Sequence, residues 1–180
     1  MTDIDFVILN WIQAHLQCGF FDWFWRIITY FGNGGFGWMG VCLIFIIFKR
    51  TRRFGIAMAA SLLFCYITFH FVIKGIVQRP RPCVQSGFSI IIGEPSGTSF
   101  PSGHAAIAFT VATFMFLYRN KIKAARKFWI PVLVLAVLID FSRLYLYVHF
   151  PSDVIAGTIY GIIVGTAGYL LSKKFVLREN

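Results

Sequence analysis

Long apolar runs alternate with short polar stretches along most of the chain, the pattern of a protein whose solvent is partly lipid. The first 32 residues are the exception, because their polar and aromatic positions are more closely mixed. Five runs are predicted to span a bilayer as helices: residues 36–48, 54–77, 102–118, 128–147 and 152–171. The pattern therefore predicts an all-α, polytopic membrane helix bundle.

The segment before the first run is amphipathic and aromatic instead of uniformly apolar. Over residues 3–17, apolar side chains recur at the spacing of an amphipathic helix, and the opposite face is polar, which favours an interfacial helix. Residues 20–31 are rich in Trp and Phe, typical of the headgroup level. Whether these pieces lie flat, re-enter or together cross once stays open. We therefore divide the chain into 1–32, an N-terminal amphipathic and aromatic helical segment, and 33–180, the membrane-embedded domain.

Composition and charge agree with this picture. Hydrophobic residues make up 58% of the 180 positions and charged residues 13%. The net charge of +10 would suggest nucleic acid as the partner of a soluble protein, but 12 of the 17 basic residues lie in three patches beside apolar runs, at 49–53, 119–127 and 173–178. This is the positive-inside pattern, so we expect no nucleic acid partner. It places the patches on the cytoplasmic side and the loops 78–101 and 148–152 opposite.

The stretch 142–153 carries chemistry where a membrane protein normally has only a turn. Arg143 can clamp an anion, and His149 can act as a nucleophile or base. Asp153 can hold the other ring nitrogen of His149, with Pro151 opening the fifth helix between them. The alternative for Asp153 is simple capping of that helix.

A second cluster lies at the start of the third span. Pro101 suits the first position of a helix, so the backbone N–H groups of Ser102 and Gly103 are predicted to face an incoming anion. Ser102 adds a hydroxyl donor, and His104 follows on the same turn.

A third cluster consists of cations at the end of the second span. Lys74, Arg79 and Arg81 lie on the face opposite the basic patches, as Arg143 does, and four such cations are poorly explained without an anionic ligand. Lys74 has the alternative of snorkelling to headgroups. His70 is interpreted as a core residue outside the site.

Taken together, these clusters resemble the type-2 phosphatidic acid phosphatase superfamily. Its signature of Lys-x6-Arg-Pro, Pro-Ser-Gly-His and Ser-Arg-x5-His-x3-Asp is matched here at every position, beginning at Lys74, Pro101 and Ser142. The resemblance implies that His149 is the nucleophile of a phosphohistidine mechanism. It further implies that Asp153 orients His149 and that His104 is the general acid and base, with no metal or other cofactor. It assigns the phosphate oxygens to Lys74, Arg81, Ser102, Gly103 and Arg143.

The expected protein is a membrane lipid phosphatase converting undecaprenyl pyrophosphate to undecaprenyl phosphate for cell-wall biogenesis, with its site on the extracytoplasmic side of a bacterial plasma membrane. Phosphatidic acid or phosphatidylglycerophosphate is the alternative substrate. Two other classes stay open: metal-dependent hydrolysis using His104, His149 and Asp153, and an anion or lipid transporter without hydrolysis. The expected partners are the phosphorylated lipid and membrane lipids.

A packing signal stands apart from the chemistry. Gly157, Gly161 and Gly165 recur every four residues along one face of the fifth span, which allows another helix to approach closely. We expect this face to pack inside one protomer, with a dimer interface as the alternative.

Overall fold

The regular structure is entirely helical. A computed structural model describes residues 2–73, 75–88, 90–93 and 97–178, and within these residues there is no β-strand, so the all-α class is confirmed. The described α-helices are α1 (Thr2–Leu16), α2 (Gly19–Gly32), α3 (Phe36–Ile47), α4 (Arg52–Thr68), α5 (Pro82–Ser86), α6 (Gly103–Tyr118), α7 (Lys123–Tyr145) and α8 (Pro151–Leu177). A π-helical turn, Phe69–Ile73, extends α4, and Asn33–Gly35 forms a 3-10 turn between α2 and α3.

Four stretches of the described chain are long and apolar enough to cross a membrane: Gly19–Ile47, Lys49–Ile73, Lys123–Tyr145 and Pro151–Leu177. The first combines α2 and α3, and the chain turns within it because Gly34 and Gly35 have positive φ angles of 59° and 75°. The third predicted span, α6, has only 16 residues. At about 1.5 Å per residue it is about 24 Å long, shorter than a hydrocarbon core of about 30 Å.

Helix α6 lies at the centre of the bundle, packed by α4, α7 and α8. Small residues such as Ala105, Ala106 and Ala108 are completely buried, so the surrounding helices approach it closely. Because its neighbours cover it, most of α6 does not face lipid. The Ser-Gly-His sequence at its N-terminus therefore lies in the interior of the bundle.

The glycine face of α8 packs against α6. A Cβ added to Gly165 would lie 2.7 Å from the carbonyl oxygen of Thr110, and Gly157 and Gly161 also approach the α6 backbone. These contacts agree with the expectation that this face packs inside one protomer. The opposite face of α8 exposes Ile155, Ile159 and Ile163, as expected for a helix that faces lipid.

The N-terminal helices do not lie apart from the bundle. Leu9 and Ile12 of α1 and Trp25 of α2 are buried, and Ile12 and Trp25 share one apolar cluster with Tyr145 and Val148. Helix α1 therefore covers the connection between α7 and α8. The boundary at residue 32 stays a prediction, but the two sides of it share core contacts.

The basic patches meet at one end of the bundle. Arg53 donates a 2.6 Å hydrogen bond to the carbonyl oxygen of Arg178, and Lys121 donates one of 3.0 Å to the Tyr169 hydroxyl near the end of α8. The residues of the three chemical clusters that are described lie towards the other ends of these helices, which agrees with the alternation of the predicted spans.

Candidate active site

The connection between α7 and α8 folds back tightly over the end of α7. The N–H groups of Val148 and His149 both donate to the carbonyl oxygen of Arg143, at 3.2 and 3.3 Å. Tyr147 has a φ of 58°, the left-handed conformation that reverses the chain. This turn places His149 beside Arg143, and both side chains are buried at 3% exposure.

Asp153 lies directly behind His149, as predicted. Its Oδ2 is 3.6 Å from His149 Nδ1, longer than a hydrogen bond but close enough to attract an imidazolium. The same oxygen accepts from the Ser99 hydroxyl at 2.5 Å and from the Phe150 N–H at 2.9 Å. The second contact shows that Asp153 caps α8, the alternative role considered for it, and the orientation of His149 by this carboxylate stays a prediction.

The other nitrogen of His149 faces Arg81. Arg81 Nη1 lies 3.2 Å from His149 Nε2 and 3.0 Å from the carbonyl oxygen of Val148. Because a guanidinium can only donate, Nε2 must be the accepting nitrogen and Nδ1 carries the proton, on the side of Asp153. In this tautomer the lone pair of Nε2 points away from Asp153 and towards Arg81.

Helix α6 begins at Gly103. The prediction that Pro101 occupies its first position is wrong, because Ser102 has an extended backbone (φ −76°, ψ 116°) and caps the helix. Nor does the Ser102 N–H face the anion site, since it donates to the carbonyl oxygen of Asp153 at 2.9 Å. Gly103 does reach the cavity described below, and a Cβ there would crowd Phe69 at 3.1 Å.

His104 is paired with a residue that the sequence did not single out. Its Nε2 lies 3.0 Å from the Oδ1 of Asn33, in the turn between α2 and α3. Gly32 is adjacent, and a Cβ there would come within 2.7 Å of the His104 ring. The glycine-rich turn therefore makes room for the imidazole as well as separating α2 from α3.

Arg143 is also held by the N-terminal helices. Its Nη1 donates to the hydroxyl of Thr29 on α2, whereas its Nε is buried without a hydrogen-bond partner. An unsatisfied guanidinium N–H in the interior is costly unless a ligand pairs with it. Asp140, one turn before Arg143 on α7, accepts a 2.9 Å hydrogen bond from Thr158.

These groups surround one cavity of about 460 Å³. Its wall includes five of the eight predicted site residues, Arg81, Gly103, His104, Arg143 and His149. Asp153 supports His149 from behind, Ser102 is buried beside the helix start, and Lys74 lies outside the described residues. Among the described wall residues there is no carboxylate, so the cavity is suited to an anion.

Some wall residues correct or extend the prediction. His70, interpreted from the sequence as a core residue, is exposed, lines the cavity and has its Nδ1 3.1 Å from the Tyr66 carbonyl oxygen. Thr29 and Asn33 also line it, and Ser99 binds Asp153 from outside it. No periodicity or motif marks these three positions, because their partners are far away in the chain.

Burial and the neighbouring cations act together on His149. The pKa of His149 is lowered to about 4, chiefly by burial and also by the charges of Arg143 and Arg81, and only Asp153 acts in the opposite direction. Burial also lowers the pKa of Arg81, which the Asp153 carboxylate partly offsets. At neutral pH the imidazole is thus uncharged, which leaves a free lone pair on Nε2.

The positions of the histidines and acids also bear on metal binding. Among the described residues, no group of three His, Cys, Asp or Glu side chains is arranged to hold a metal ion. At the wall, His149 is instead paired with Arg81 and His104 with Asn33.

A helical membrane bundle that presents arginines, three histidines and a helix N-terminus to one cavity has the groups expected of a membrane phosphohydrolase. Residues 50–176 match the family model of the PAP2 superfamily, and the chain belongs to this superfamily of membrane lipid phosphatases. The phosphatases of this superfamily are hydrolases, and the long apolar helices make this chain an integral membrane protein.

Two relatives and one solved structure illustrate the family. The chain is 35% identical over 125 residues to the undecaprenyl-diphosphatase of Sulfolobus acidocaldarius, a match that covers 69% of this chain and 58% of that protein. It is 31% identical over 141 residues to the decaprenylphosphoryl-5-phosphoribose phosphatase of Mycobacterium tuberculosis, covering 78% and 74%. The PAP2-type phosphatidylglycerolphosphate phosphatase of Bacillus subtilis superposes with a TM-score of 0.80 at 22% identity over 99% of this chain and 89% of that one, which establishes the fold alone.

Proposed function

We propose that the protein hydrolyses a phosphate group from a lipid through a phosphohistidine at His149, with undecaprenyl pyrophosphate as the preferred substrate. The observation that carries this proposal is the arrangement of His149, with Asp153 behind Nδ1 and Arg81 at Nε2, beside an anion cavity. A histidine held in this tautomer is prepared to use Nε2 as a nucleophile.

In the first step Nε2 attacks the terminal phosphorus in line, forming a P–N bond while the bond from that phosphorus to the bridging oxygen of the diphosphate breaks, and the lipid monophosphate leaves. His104 donates a proton to that leaving oxygen. Before the attack Arg81 must transfer its hydrogen bond from Nε2 to a phosphate oxygen, because the lone pair is otherwise occupied. Asp153 then stabilises the positive charge that develops on the ring.

In the second step water attacks the phosphohistidine. His104, now neutral, accepts a proton from the water, the P–N bond breaks, and inorganic phosphate leaves with Nε2 restored. His104 can serve both steps because Asn33 holds its ring at the cavity wall. Atoms and charge balance without an additional reactant.

The non-bridging oxygens of the phosphate need donors as charge builds. Arg81, Arg143 and the Gly103 N–H are at the cavity wall, and the buried, unpartnered Nε of Arg143 is a ready donor. We include Lys74 and the Ser102 hydroxyl in this set on the strength of the motif. Removal of one such donor is expected to lower kcat by roughly a hundredfold or more.

The identity of the lipid rests on the apolar residues of the cavity wall and on the relatives. Tyr66, Phe69 and Ile107 give the wall apolar surface suited to a prenyl chain near its headgroup. The relative from Sulfolobus acidocaldarius is named an undecaprenyl-diphosphatase, which supports a diphosphate substrate. Phosphatidic acid and phosphatidylglycerophosphate are the second candidates, and the Bacillus subtilis neighbour acts on the latter. We further propose that the site opens on the extracytoplasmic side of a bacterial plasma membrane.

The test is phosphate release from undecaprenyl pyrophosphate and from phosphatidic acid, in detergent with EDTA, by wild type and His149→Ala. Release from the first lipid that is lost in the variant is expected. Release from phosphatidic acid alone would keep the mechanism and change the substrate.

Two outcomes would favour the other classes. Activity that disappears with EDTA and returns with added metal would support a metal-dependent hydrolase. Anion or lipid flux in liposomes without phosphate release would support a transporter.

A further inference from the structure

Helix α1 carries an acidic residue that is connected to the reacting histidine through two ion pairs. We infer that Asp5 and Arg79 are positioning residues that fix the carboxylate of Asp153, and through it the ring of His149. Asp5 lies outside residues 50–176, which the family model matches, and Arg79 lies inside the Lys-x6-Arg-Pro motif without being one of its fixed positions. The inference rests on the proposed reaction through His149.

Arg79 bridges two carboxylates. Its Nη1 lies 2.8 Å from Asp153 Oδ1, and its Nη2 lies 2.7 Å from Asp5 Oδ2. The guanidinium carbon stacks 3.8 Å above the centre of the Phe150 ring, which is itself completely buried. Side-chain exposures of 16%, 7% and 0% for Arg79, Asp5 and Asp153 mean that water screens these pairs poorly.

The surroundings of Arg79 separate it from the phosphate site. From the sequence, its charge was explained by an anionic ligand shared with Lys74, Arg81 and Arg143. In the structure Arg79 is absent from the cavity wall, where Arg81 and Arg143 are present, and its charge is neutralised by the two carboxylates. Arg79 therefore acts on the protein and not on the substrate.

Asp5 fastens the same network to the start of α8. Its Oδ1 accepts from the Ser152 N–H at 3.1 Å, and its Oδ2 accepts from the Ser152 hydroxyl at 2.6 Å. Ser152 in turn accepts a hydrogen bond of 2.7 Å from Arg79 Nη1. Helix α1 thus holds both the backbone next to Asp153 and the cation that binds its side chain.

The consequence for catalysis follows from the two oxygens of Asp153. Arg79 holds Oδ1, which leaves Oδ2 directed at Ser99, the Phe150 N–H and His149 Nδ1. Without Arg79 the carboxylate is held only through Oδ2, by Ser99 and the Phe150 N–H, so the imidazole is oriented less firmly for in-line attack. A misplaced reacting group lowers kcat, whereas the cavity that binds the substrate is unchanged.

The test compares Asp5→Asn, Arg79→Gln and the double variant for phosphate release in detergent, measuring kcat and KM separately. We expect each single change to lower kcat by roughly tenfold with KM unchanged within about twofold. Because the residues act in one network, adding Asp5→Asn to Arg79→Gln should produce little further loss. Arg79→Lys should recover only part of the rate, because one ammonium cannot bridge both carboxylates with the geometry of a guanidinium.

The matched control is Gln13→Ala. Gln13 lies on the same helix and donates a 2.6 Å hydrogen bond to the carbonyl oxygen of Tyr145, but it is not part of the Asp5–Arg79 network. An equal fall in kcat in this variant would show that α1 matters only for general docking and would overturn the inference. So would an effect of Asp5→Asn on KM alone, or unchanged kinetics in that variant. Wild type and His149→Ala in the same assay test the proposed function independently, since their difference does not depend on Asp5.

Discussion

His149 is buried between Asp153 and Arg81, and its protonation state decides whether Nε2 can attack phosphorus. The charged form is disfavoured in the interior, so its pKa falls to about 4, below the ordinary value of about 6.5. In ligand-free protein with nitrogen-labelled histidine, the ring signal that disappears in His149→Gln belongs to His149. This NMR signal is expected to show a neutral ring from pH 7 down to about 5. Protonation should follow only as the pH falls through about 4. A midpoint near or above 6.5 would contradict the buried environment.

Thr29 is a second residue whose contribution is measurable. Its hydroxyl accepts from Arg143, and Thr29→Val keeps the shape of the side chain while removing that acceptor. A hydrogen bond to a charged group is worth about 1.5–3 kcal/mol, so we expect kcat to fall by roughly tenfold or more as the guanidinium moves. Phosphate-release kinetics would measure this.

The matched control for Thr29 is Thr158→Val. Thr158 donates 2.9 Å to Asp140 Oδ2, and neither residue lines the cavity. This variant is expected to retain kcat within about threefold. Equal losses in the two variants would mean that both changes act through the stability of the bundle.

At the residue scale, the sequence predicted the groups that carry a motif and missed those that support them. Arg81, His104, Arg143 and His149 are recognisable because their spacing is distinctive, and the structure places all four around one cavity. Thr29 and Asn33 contact Arg143 and His104 across 114 and 71 positions of sequence. Contacts of that separation are created by helix packing, and no local pattern of one sequence encodes them.

Among the elements, the close packing of α6 against α8 is a measurable source of stability. In Gly165→Ala the new methyl group would lie 2.7 Å from the Thr110 carbonyl oxygen and 2.9 Å from the Thr113 Cβ. A backbone oxygen cannot move aside, so we expect a loss of stability of about 1–3 kcal/mol, seen as a lower thermal midpoint in detergent. Gly40→Ala on α3 is the control, because a Cβ there meets nothing within 4 Å and should leave the protein at least as stable. Similar midpoints for the two variants would contradict close α6–α8 packing.

The elements also show where sequence periodicity is informative. The apolar runs predicted the positions of α3, α4, α6, α7 and α8. The predicted first helical position, Pro101, lies two residues before the observed start of α6, because Ser102 caps the helix and Pro101 precedes the cap. The docking of α1 was not predictable from its pattern. An amphipathic helix presents the same apolar face to lipid headgroups as to a neighbouring helix, and only the position of Tyr145–Phe150 in the folded protein distinguishes them.

The whole molecule has two chemically different ends. The basic patches gather at one end, where Arg53 and Lys121 contact the last turns of α8. The Asp5–Arg79 network and the cavity lie at the other. Arg79 therefore binds carboxylates and Arg81 and Arg143 line the anion site at the cavity end, whereas the cations at the basic end are available to set orientation in the membrane.

Orientation in the membrane can be tested with a natural cysteine. Cys18 is exposed at the cavity end, next to Tyr145, whereas Cys42, Cys65 and Cys83 are buried. If the basic end is cytoplasmic, a membrane-impermeant maleimide added to intact cells of a bacterial host should label Cys18 in the wild type.

The reciprocal variant carries Cys18→Ser together with Asn120→Cys, at an exposed position between α6 and α7. It should be labelled only after the membrane is made permeable, because its new thiol lies at the basic end. The opposite pattern would place the cavity in the cytoplasm and would exclude substrates presented on the outer leaflet. It would leave the histidine chemistry intact, since burial and the contacts of His149 are the same in either orientation.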